Sequence, residues 1–154
     1  MNLNIDTLDL YAINMLLRYK TNIKIKEIIS MEEAKINIII ADGNKEFCYV
    51  LSEYLLAQKN FVVSGIANNG AEALKLIEEI KPDLVLLGII MSIVDGLGVL
   101  KKLNTMDLKP KPRIIILSVV TQDKIAQKAI SLGADYYFVK PFDMELLTKK
   151  IRRK

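Results

Sequence analysis

The chain has 154 residues, 51% of them hydrophobic, and its 22 basic and 18 acidic side chains give a formal net charge of +4. This size and composition fit one domain with a substantial core and leave little room for a second. No apolar run approaches the roughly 20 residues that a membrane-spanning helix needs, and the amino terminus lacks the positive flank of a secretion signal, so a cytoplasmic location is expected. The single cysteine, Cys48, has no intrachain disulfide partner and is predicted to be a packed small hydrophobic residue.

Residues 1–34 form an extension with its own apolar pattern. Asp6 is predicted to cap a helix from Leu8 to Lys20, and Thr21-Asn22 is predicted to end that helix. The helix is apolar on most of its faces, through Leu8, Leu10, Tyr11, Ile13, Leu16 and Leu17. Such a helix must be buried against the following domain, in a dimer or on a partner protein.

From residue 36 onward, apolar strand segments alternate with amphipathic helical segments. The predicted strands are Ile36 to Ala41, Phe61 to Ile66, Asp83 to Leu87, Arg113 to Leu117 and Tyr136 to Val139. The predicted helices are Lys45 to Gln58, Gly70 to Ile80, Leu97 to Thr105, Gln122 to Leu132 and Asp143 to the end. Lys81-Pro82 and Gly133 are predicted helix ends. Alternation of this kind predicts an α/β fold, with a parallel sheet covered by helices on both faces.

The basic residues that produce the net charge are concentrated at the carboxyl end. They are Lys149, Lys150, Arg152, Arg153 and Lys154. Cations at this place favour the carboxyl terminus of a helix, and no aromatic or recognition-helix pattern accompanies them. No nucleic acid partner is therefore expected for this chain alone.

Ligands of open parallel sheets bind beyond the carboxyl ends of the strands, so the residues that follow the strands are the candidate site residues. They are Asp42, Gly43, Gly88, Ser118 and Lys140, the last followed by Pro141. A serine hydroxyl can hydrogen-bond a phosphoryl oxygen, and a lysine can neutralise its charge. The serine and lysine therefore suit a phosphate site, but Gly88 cannot carry a phosphoryl group.

At these strand ends the chain resembles the receiver domain of two-component response regulators, from about Lys35 to Arg153. Within that family it is most similar to the receivers of sporulation regulators, through FCYVLSEYL, GLGVLKKLNTMDL, QDKIAQKAISLGADYY and VKPFDMELL. The resemblance implies a flavodoxin-like three-layer sandwich with a five-stranded parallel sheet in the order 2-1-3-4-5. It also implies that residues 35–154 form the receiver-like domain, and that the DNA-binding domain that follows in sporulation regulators is absent here. A start at Met31 is an alternative to Met1, because MEEAKINIII resembles a natural receiver start.

The resemblance also assigns roles to the residues at the strand ends. Asp42, Ser118 and Lys140-Pro141 match the family, whereas Gly43 replaces its second acidic residue and Gly88 its phosphoacceptor aspartate. Ser92 replaces the usual proline of the loop after the third strand. The family pocket holds three carboxylates and one lysine, but this chain keeps only one carboxylate and the lysine. Mg²⁺, the cofactor of the family, is therefore expected to bind weakly or not at all.

These departures predict a degenerate receiver that is not an enzyme and that acts independently of phosphorylation. Its expected partners are proteins of a phosphorelay, namely a receiver, a histidine kinase or a phosphotransferase, with a homodimer left open. Tyr137 falls where the family keeps an aromatic switch residue, and it marks the predicted interaction face. A conventional phosphorelay receiver and the product of a truncated, non-functional gene copy remain as alternatives.

Several site residues also have purely structural interpretations. Ser118 is as easily explained by a bond to local backbone as by anion binding, and an ion pair between Lys140 and Asp42 is favoured over a ligand contact. Asp95 is interpreted as a turn or helix-cap residue, and Tyr137 as a fixed surface aromatic.

Overall fold

The computed structural model describes residues 3–33 and 35–153, with side chains from residue 10 to 28 and from residue 35 to 153. The helices are α1 (Leu3–Glu33), α2 (Lys45–Leu56), α3 (Gly70–Ile80), α4 (Gly96–Leu103), α5 (Asp123–Ser131) and α6 (Met144–Arg152). The strands are β1 (Ile36–Ala41), β2 (Phe61–Ala67), β3 (Leu84–Leu87), β4 (Arg113–Ser118) and β5 (Tyr136–Val139). The chain divides into two compact units, residues 1–35 and residues 36–154. In the part of the chain that the structure describes, no helix is long and apolar enough to cross a membrane.

The first unit consists of α1, a continuous helix that extends from Leu3 to Glu33. The predicted break at Thr21-Asn22 is wrong, because α1 continues through both residues. The Thr21 hydroxyl donates to the Leu17 carbonyl oxygen at 2.7 Å, so its hydrogen bond is made within the helix. The predicted start is also wrong, since Asp6 lies inside the helix and not at its amino-terminal cap.

The second unit is a five-stranded sheet in the order β2-β1-β3-β4-β5, as predicted. All four pairings are parallel, with Ile40 opposite Leu86 and Leu86 opposite Ile115 at the centre. The strands Phe61 to Ala67 and Arg113 to Ser118 each extend one residue beyond the prediction, and Asp83 precedes its strand. The predicted α/β architecture is confirmed.

Alternate residues of the central strands enter two separate cores, one on each face of the sheet. Residues such as Ile39, Val85 and Ile116 pack under α3, α4 and α5. Their neighbours, such as Leu86 and Ile115, pack under α2 and α6. β3 is the central strand of the sheet, and all of its residues are buried. The chain segment that follows β3 therefore lies at the middle of the sheet edge.

The helix ends follow the predicted signals. Lys81 ends α3 in the left-handed conformation with φ of 52°, and Gly133 follows α5 with φ of 106°. The last turn of α6 carries Lys149, Lys150 and Arg152, as expected from the sequence. The Arg113 guanidinium of β4 also donates to the carbonyl oxygens of Lys150 and Ile151, both at 2.7 Å.

Candidate functional site

An open pocket of about 480 Å³ lies at the carboxyl edge of the sheet. The structure brings together there all five residues selected from the sequence: Asp42, Gly43, Gly88, Ser118 and Lys140. The pocket lies at the ends of β1, β3, β4 and β5, which is where parallel strands direct site residues.

Asp42 is the most completely bonded group of the pocket. It is 6% exposed, and its backbone N–H donates to the Ala67 carbonyl oxygen at 3.0 Å. One carboxylate oxygen, Oδ1, accepts from the backbone N–H of Asn44 at 2.8 Å, and the other accepts from Lys140. The carboxylate is therefore fixed in place by the loop that begins α2 and by the end of β5.

Lys140 forms a buried ion pair with this carboxylate. Its Nζ lies 2.6 Å from Asp42 Oδ2, and the two side chains are 18% and 8% exposed. The same ammonium lies 3.7 Å from the centroid of the Phe47 ring, in a cation–π contact. The predicted ion pair is thus present, and the lysine is held between a carboxylate and an aromatic ring.

Gly88 lies directly beside this pair. Its backbone N–H donates to the Ala41 carbonyl oxygen at 2.7 Å. A β-carbon placed on Gly88 would lie only 2.9 Å from Asp42 Oδ2. The Asp42 carboxylate therefore occupies part of the space that a side chain at position 88 would need.

Ser118 is 3% exposed, and its hydroxyl accepts from the backbone N–H of Val120 at 3.1 Å. Its carbonyl oxygen accepts from the backbone N–H of Lys140 at 2.8 Å. The local backbone bond that was one of two interpretations of Ser118 is present, and it orders the loop between β4 and α5.

Apolar residues surround the mouth of the pocket. Ile90 is 66% exposed and Val119 is 59% exposed, and both line it. Ile93, in the loop between β3 and α4, is 79% exposed and has φ of 70°, a conformation that β-branched residues rarely adopt. In the same loop, Asp95 accepts from the Gly98 backbone N–H at 2.7 Å and caps α4, so its predicted capping role is confirmed.

Cys48 lies beneath the pocket and is buried, as predicted. Its thiol donates to the Asp42 carbonyl oxygen at 3.5 Å. Burial, and then the nearby Asp42 carboxylate, raise the pKa of the Cys48 thiol. The thiol therefore stays protonated at neutral pH and acts as a packed group.

Comparison with known proteins identifies the fold and its family. The model of the response regulator receiver domain family matches residues 38–152. The chain belongs to the response regulator receiver family.

Solved receivers have the same architecture. The response regulator domain of CheB from Thermotoga maritima is 27% identical with a TM-score of 0.69, over 77% of this chain and 94% of that chain. A DNA-binding response regulator of the LuxR family from Staphylococcus aureus is 26% identical with a TM-score of 0.70, over 77% of this chain and 99% of that chain. The CheX–CheY–BeF₃–Mg²⁺ complex from Borrelia burgdorferi matches at 24% identity and a TM-score of 0.67, over 75% and 86% of the two chains, which shows the fold alone.

The residues of this receiver do not fit the Mg²⁺ ion that the family implies. Mg²⁺ needs near-octahedral oxygen ligands, usually with one or two carboxylates and substrate phosphate oxygens. The pocket supplies one carboxylate, that of Asp42, and the Lys140 ammonium already neutralises it. Over residues 3–33 and 35–153, no group of three or more His, Cys, Asp or Glu side chains could hold a metal ion.

Tyr137 is held in place, as its interpretation as a fixed aromatic expected, and it is only partly exposed. Its side chain is half-buried against the core cluster under α5, and its hydroxyl donates to the Val120 carbonyl oxygen at 2.8 Å. Because Val120 follows the site serine by two residues, this bond connects β5 to the loop that borders the pocket.

Sequence reasoning missed three residues that shape the receiver pocket. Asn68 follows β2, and its amide donates to the Asp42 carbonyl oxygen at 3.1 Å. Asn44 caps α2 and orients Asp42, and Phe47 packs against Lys140. Asn68 could have been selected as a pocket residue from the sequence, because it follows a strand. Nothing in the sequence pairs Phe47 with a lysine 93 positions away.

Proposed function

We propose that this receiver is a phosphorylation-independent module of a sporulation-type phosphorelay, similar to the receiver of stage 0 sporulation protein A, and that it acts by binding other proteins. The observation that carries the proposal is the closed Asp42–Lys140 ion pair beside Gly88. No side chain at position 88 can accept a phosphoryl group, and the remaining charges of the pocket neutralise each other.

The pocket chemistry argues against catalysis of any kind at this edge. A receiver needs a nucleophilic carboxylate, and the one carboxylate present is bonded through both of its oxygens. Ser118 is bonded to local backbone and has no general base beside it among the residues that line the pocket. The proposed activity is therefore recognition and not phosphoryl transfer.

The surface proposed for binding is the α5–β5–α6 face, which includes Tyr137. The exposed residues Lys128 and Ile130 of α5 and Val139 of β5 lie on its elements. β5 is an edge strand, so this face combines a strand border with the exposed sides of two helices. Ile130 and Val139 offer apolar contact at 47% and 39% exposure, and Lys128 offers a positive charge. Such a mixture of apolar and charged groups is typical of transient protein interfaces.

The experiment measures binding of the purified full chain to the sporulation receiver, to its histidine kinase and to its phosphotransferase, each separately. We expect binding to at least one of them, with the same affinity in the presence and absence of acetyl phosphate and Mg²⁺. The double variant Lys128→Glu, Tyr137→Ala should weaken binding at least tenfold, which is typical of a change at an interface centre. Lys75→Glu, an equal charge reversal on an exposed position of α3, is the matched control.

Three results would contradict parts of this proposal. Binding that strengthens with acetyl phosphate and Mg²⁺ would support the conventional receiver, which family membership alone favours. Equal binding by the double variant and the Lys75→Glu control would reject the α5–β5–α6 face. A failure to bind any of the three partners would support a non-functional gene copy.

A further inference from the structure

A cleft of about 340 Å³ lies at the amino edge of the sheet, at the opposite end of the strands from the pocket of Asp42 and Lys140. This amino-edge cleft lies between the end of α4, the loop that leads to β4, the first residues of β4 and the turn between α5 and β5. Its volume falls in the range of small-molecule sites, which begins at roughly 300 Å³. The cleft and the pocket share no lining residue, so an inference about the cleft does not rest on the proposed function.

Five aliphatic side chains line the amino-edge cleft. Four of them are at most 9% exposed and the fifth is half-buried, and all five pack in the core under α3, α4 and α5: Leu100, Leu103, Leu108, Ile114 and Leu132. The wall that they form is therefore fixed by the packing of the domain. Water against such a wall forms no hydrogen bonds with it, so an apolar group that displaces this water is favoured.

A hydrogen bond across the rim holds the amino-edge cleft in shape. The Asn104 side-chain amide, at the end of α4, donates to the Leu132 carbonyl oxygen, at the end of α5, at 2.9 Å. The next residue, Gly133, leaves the rim open, because a β-carbon there would come no nearer than 3.8 Å to Asn104 Oδ1. The cleft is thus preformed, and a preformed site loses less free energy to ordering when a ligand binds.

The charged side chains of the amino-edge cleft favour an anion. Two cations, Lys111 and Arg113, line it together with one carboxylate, that of Asp135. The Asp135 carboxylate already accepts from the Ile114 backbone N–H at 2.8 Å. Lys111 is exposed, and within residues 35–153 it has no ion-pair partner. Its ammonium is therefore available to bind the charge of a ligand.

The ends of α4 and α5 border the amino-edge cleft, and free carbonyl groups at a helix end would oppose an anion. Here those groups are engaged. The backbone N–H groups of residues 104–106 donate to carbonyl oxygens in the last turn of α4, and those of residues 132–134 do the same for α5. The helix ends therefore compete less with the ammonium for the character of the site.

We infer that the amino-edge cleft binds a small amphipathic carboxylate, with its apolar chain on the aliphatic wall and its carboxylate on the Lys111 ammonium. Both halves of such a molecule are used. An uncharged apolar molecule leaves the ammonium without a partner, and an anion without an apolar body leaves the wall in contact with water.

The test titrates the full chain with octanoate and follows the backbone amide signals by ¹H–¹⁵N NMR. We expect saturable shifts in the signals of Asn104, Gly133 and Asp135, which line the cleft. Octanol has the same apolar chain without the charge. It should bind at least about tenfold more weakly, because it forms no ion pair with Lys111.

Charge reversal at two lysines of one loop separates a local contact from a general charge effect. Lys111→Glu should weaken octanoate binding at least about tenfold, because it puts a carboxylate beside that of the ligand. Lys109→Glu is the matched control, since Lys109 is 88% exposed and does not line the cleft. It should bind octanoate almost as tightly as the native chain. Lys111→Met keeps an apolar side chain and should lower the affinity for octanoate to that for octanol.

The amide spectrum of each variant also reports whether the domain is folded. Shifts confined to α1, whose residues 10–28 expose apolar side chains, would overturn the inference, as would an absence of shifts at the cleft. Equal affinities for octanoate and octanol, or equal octanoate binding by Lys111→Glu and Lys109→Glu, would reject the contact between the carboxylate and Lys111.

Discussion

Asp42 and Lys140 are 98 positions apart in the chain, and each is the main partner of the other. In a pocket with further carboxylates, the lysine would be shared among them and the carboxylates would repel one another. Here one carboxylate and one ammonium form a tight pair, and an aromatic ring covers the ammonium. The Asp42 carboxylate of this pair occupies part of the space that a side chain at position 88 would need.

Restoring the acidic residues tests this description at the level of single residues. The native chain should take up no phosphoryl group from acetyl phosphate with Mg²⁺, because residue 88 is a glycine and position 43 lacks a carboxylate. Gly88→Asp should take up little, because position 43 still lacks the second metal-binding carboxylate. Gly43→Asp, Gly88→Asp should take up a detectable amount, measured by intact-protein mass spectrometry and mapped to residue 88. A β-carbon at Gly43 would lie 3.3 Å from the Ile90 carbonyl oxygen, so this substitution requires only a small local shift.

Gly88→Ala introduces the steric effect of a side chain at position 88 without adding a carboxylate nucleophile. Its β-carbon must displace the Asp42 carboxylate in the same way as the aspartate does, but it adds no nucleophile. The alanine variant should therefore stay unmodified in every background. A phosphoryl adduct on the native chain, or on Gly88→Asp alone at the level of the double variant, would contradict this account of the pocket.

The loop between β3 and α4 carries backbone strain in one residue. Ile93 has φ of 70°, and its side chain is exposed, so most of its apolar surface is not buried. The left-handed conformation costs an L-residue roughly 1–2 kcal/mol, and asparagine tolerates it best after glycine. Strain of this kind often lies next to functional sites, and Ile93 directly follows Ser92, which lines the pocket.

Exchanging residue types between two left-handed positions measures this strain. Ile93→Asn should raise the free energy of unfolding by about 1 kcal/mol, and Asn60→Ile should lower it by a similar amount, because Asn60 also has φ of 70°. Urea denaturation measures both changes. A loss of stability in Ile93→Asn would show that the loop is not strained at this residue.

The sequence predicts the elements of the second unit well because each has a local signal. Apolar runs such as Leu84 to Leu87 define buried strands, and Lys81-Pro82 and Gly133 mark helix ends through backbone geometry. The prediction for α1 failed where local signals compete with helix continuity. Thr21 forms its own hydrogen bond within the helix, so a residue that often breaks helices is tolerated there.

Contacts between distant elements were harder to predict than the elements themselves. The Asp42–Lys140 pair could be expected, because both residues follow strands that end at one edge. The position of the Phe47 ring over Lys140 and the bond from Tyr137 to Val120 depend on side-chain packing between elements. Neither contact has a sequence signal, so the partner that fixes the Tyr137 side chain could not be named from the sequence.

At the scale of the whole molecule, the core of the receiver unit lies on the two faces of the sheet, and the pocket lies at the carboxyl edge of the sheet. The two apolar clusters on the faces of the sheet are built from hydrophobic side chains and contain no carboxylate, so the core does not depend on one at position 88. Fold and function are separable in this sense, because function resides in the residues at the strand ends. The stability of the unit should therefore be independent of the metal that the family uses.

Thermal unfolding with and without Mg²⁺ tests this independence. A ligand that binds only the folded state stabilises it by RT ln(1 + [L]/Kd), so a site with a Kd of about 1 mM would add about 1.4 kcal/mol in about 10 mM metal. That gain would raise the Tm by several degrees. The pocket has one carboxylate, already paired with Lys140, so we expect the Tm of the native chain to match that in NaCl of equal ionic strength. Gly43→Asp, Gly88→Asp serves as the positive control, and its Tm should rise with Mg²⁺ but not with NaCl. A rise of several degrees in the native chain, specific to Mg²⁺, would mean that the Asp42–Lys140 pair opens to admit the ion.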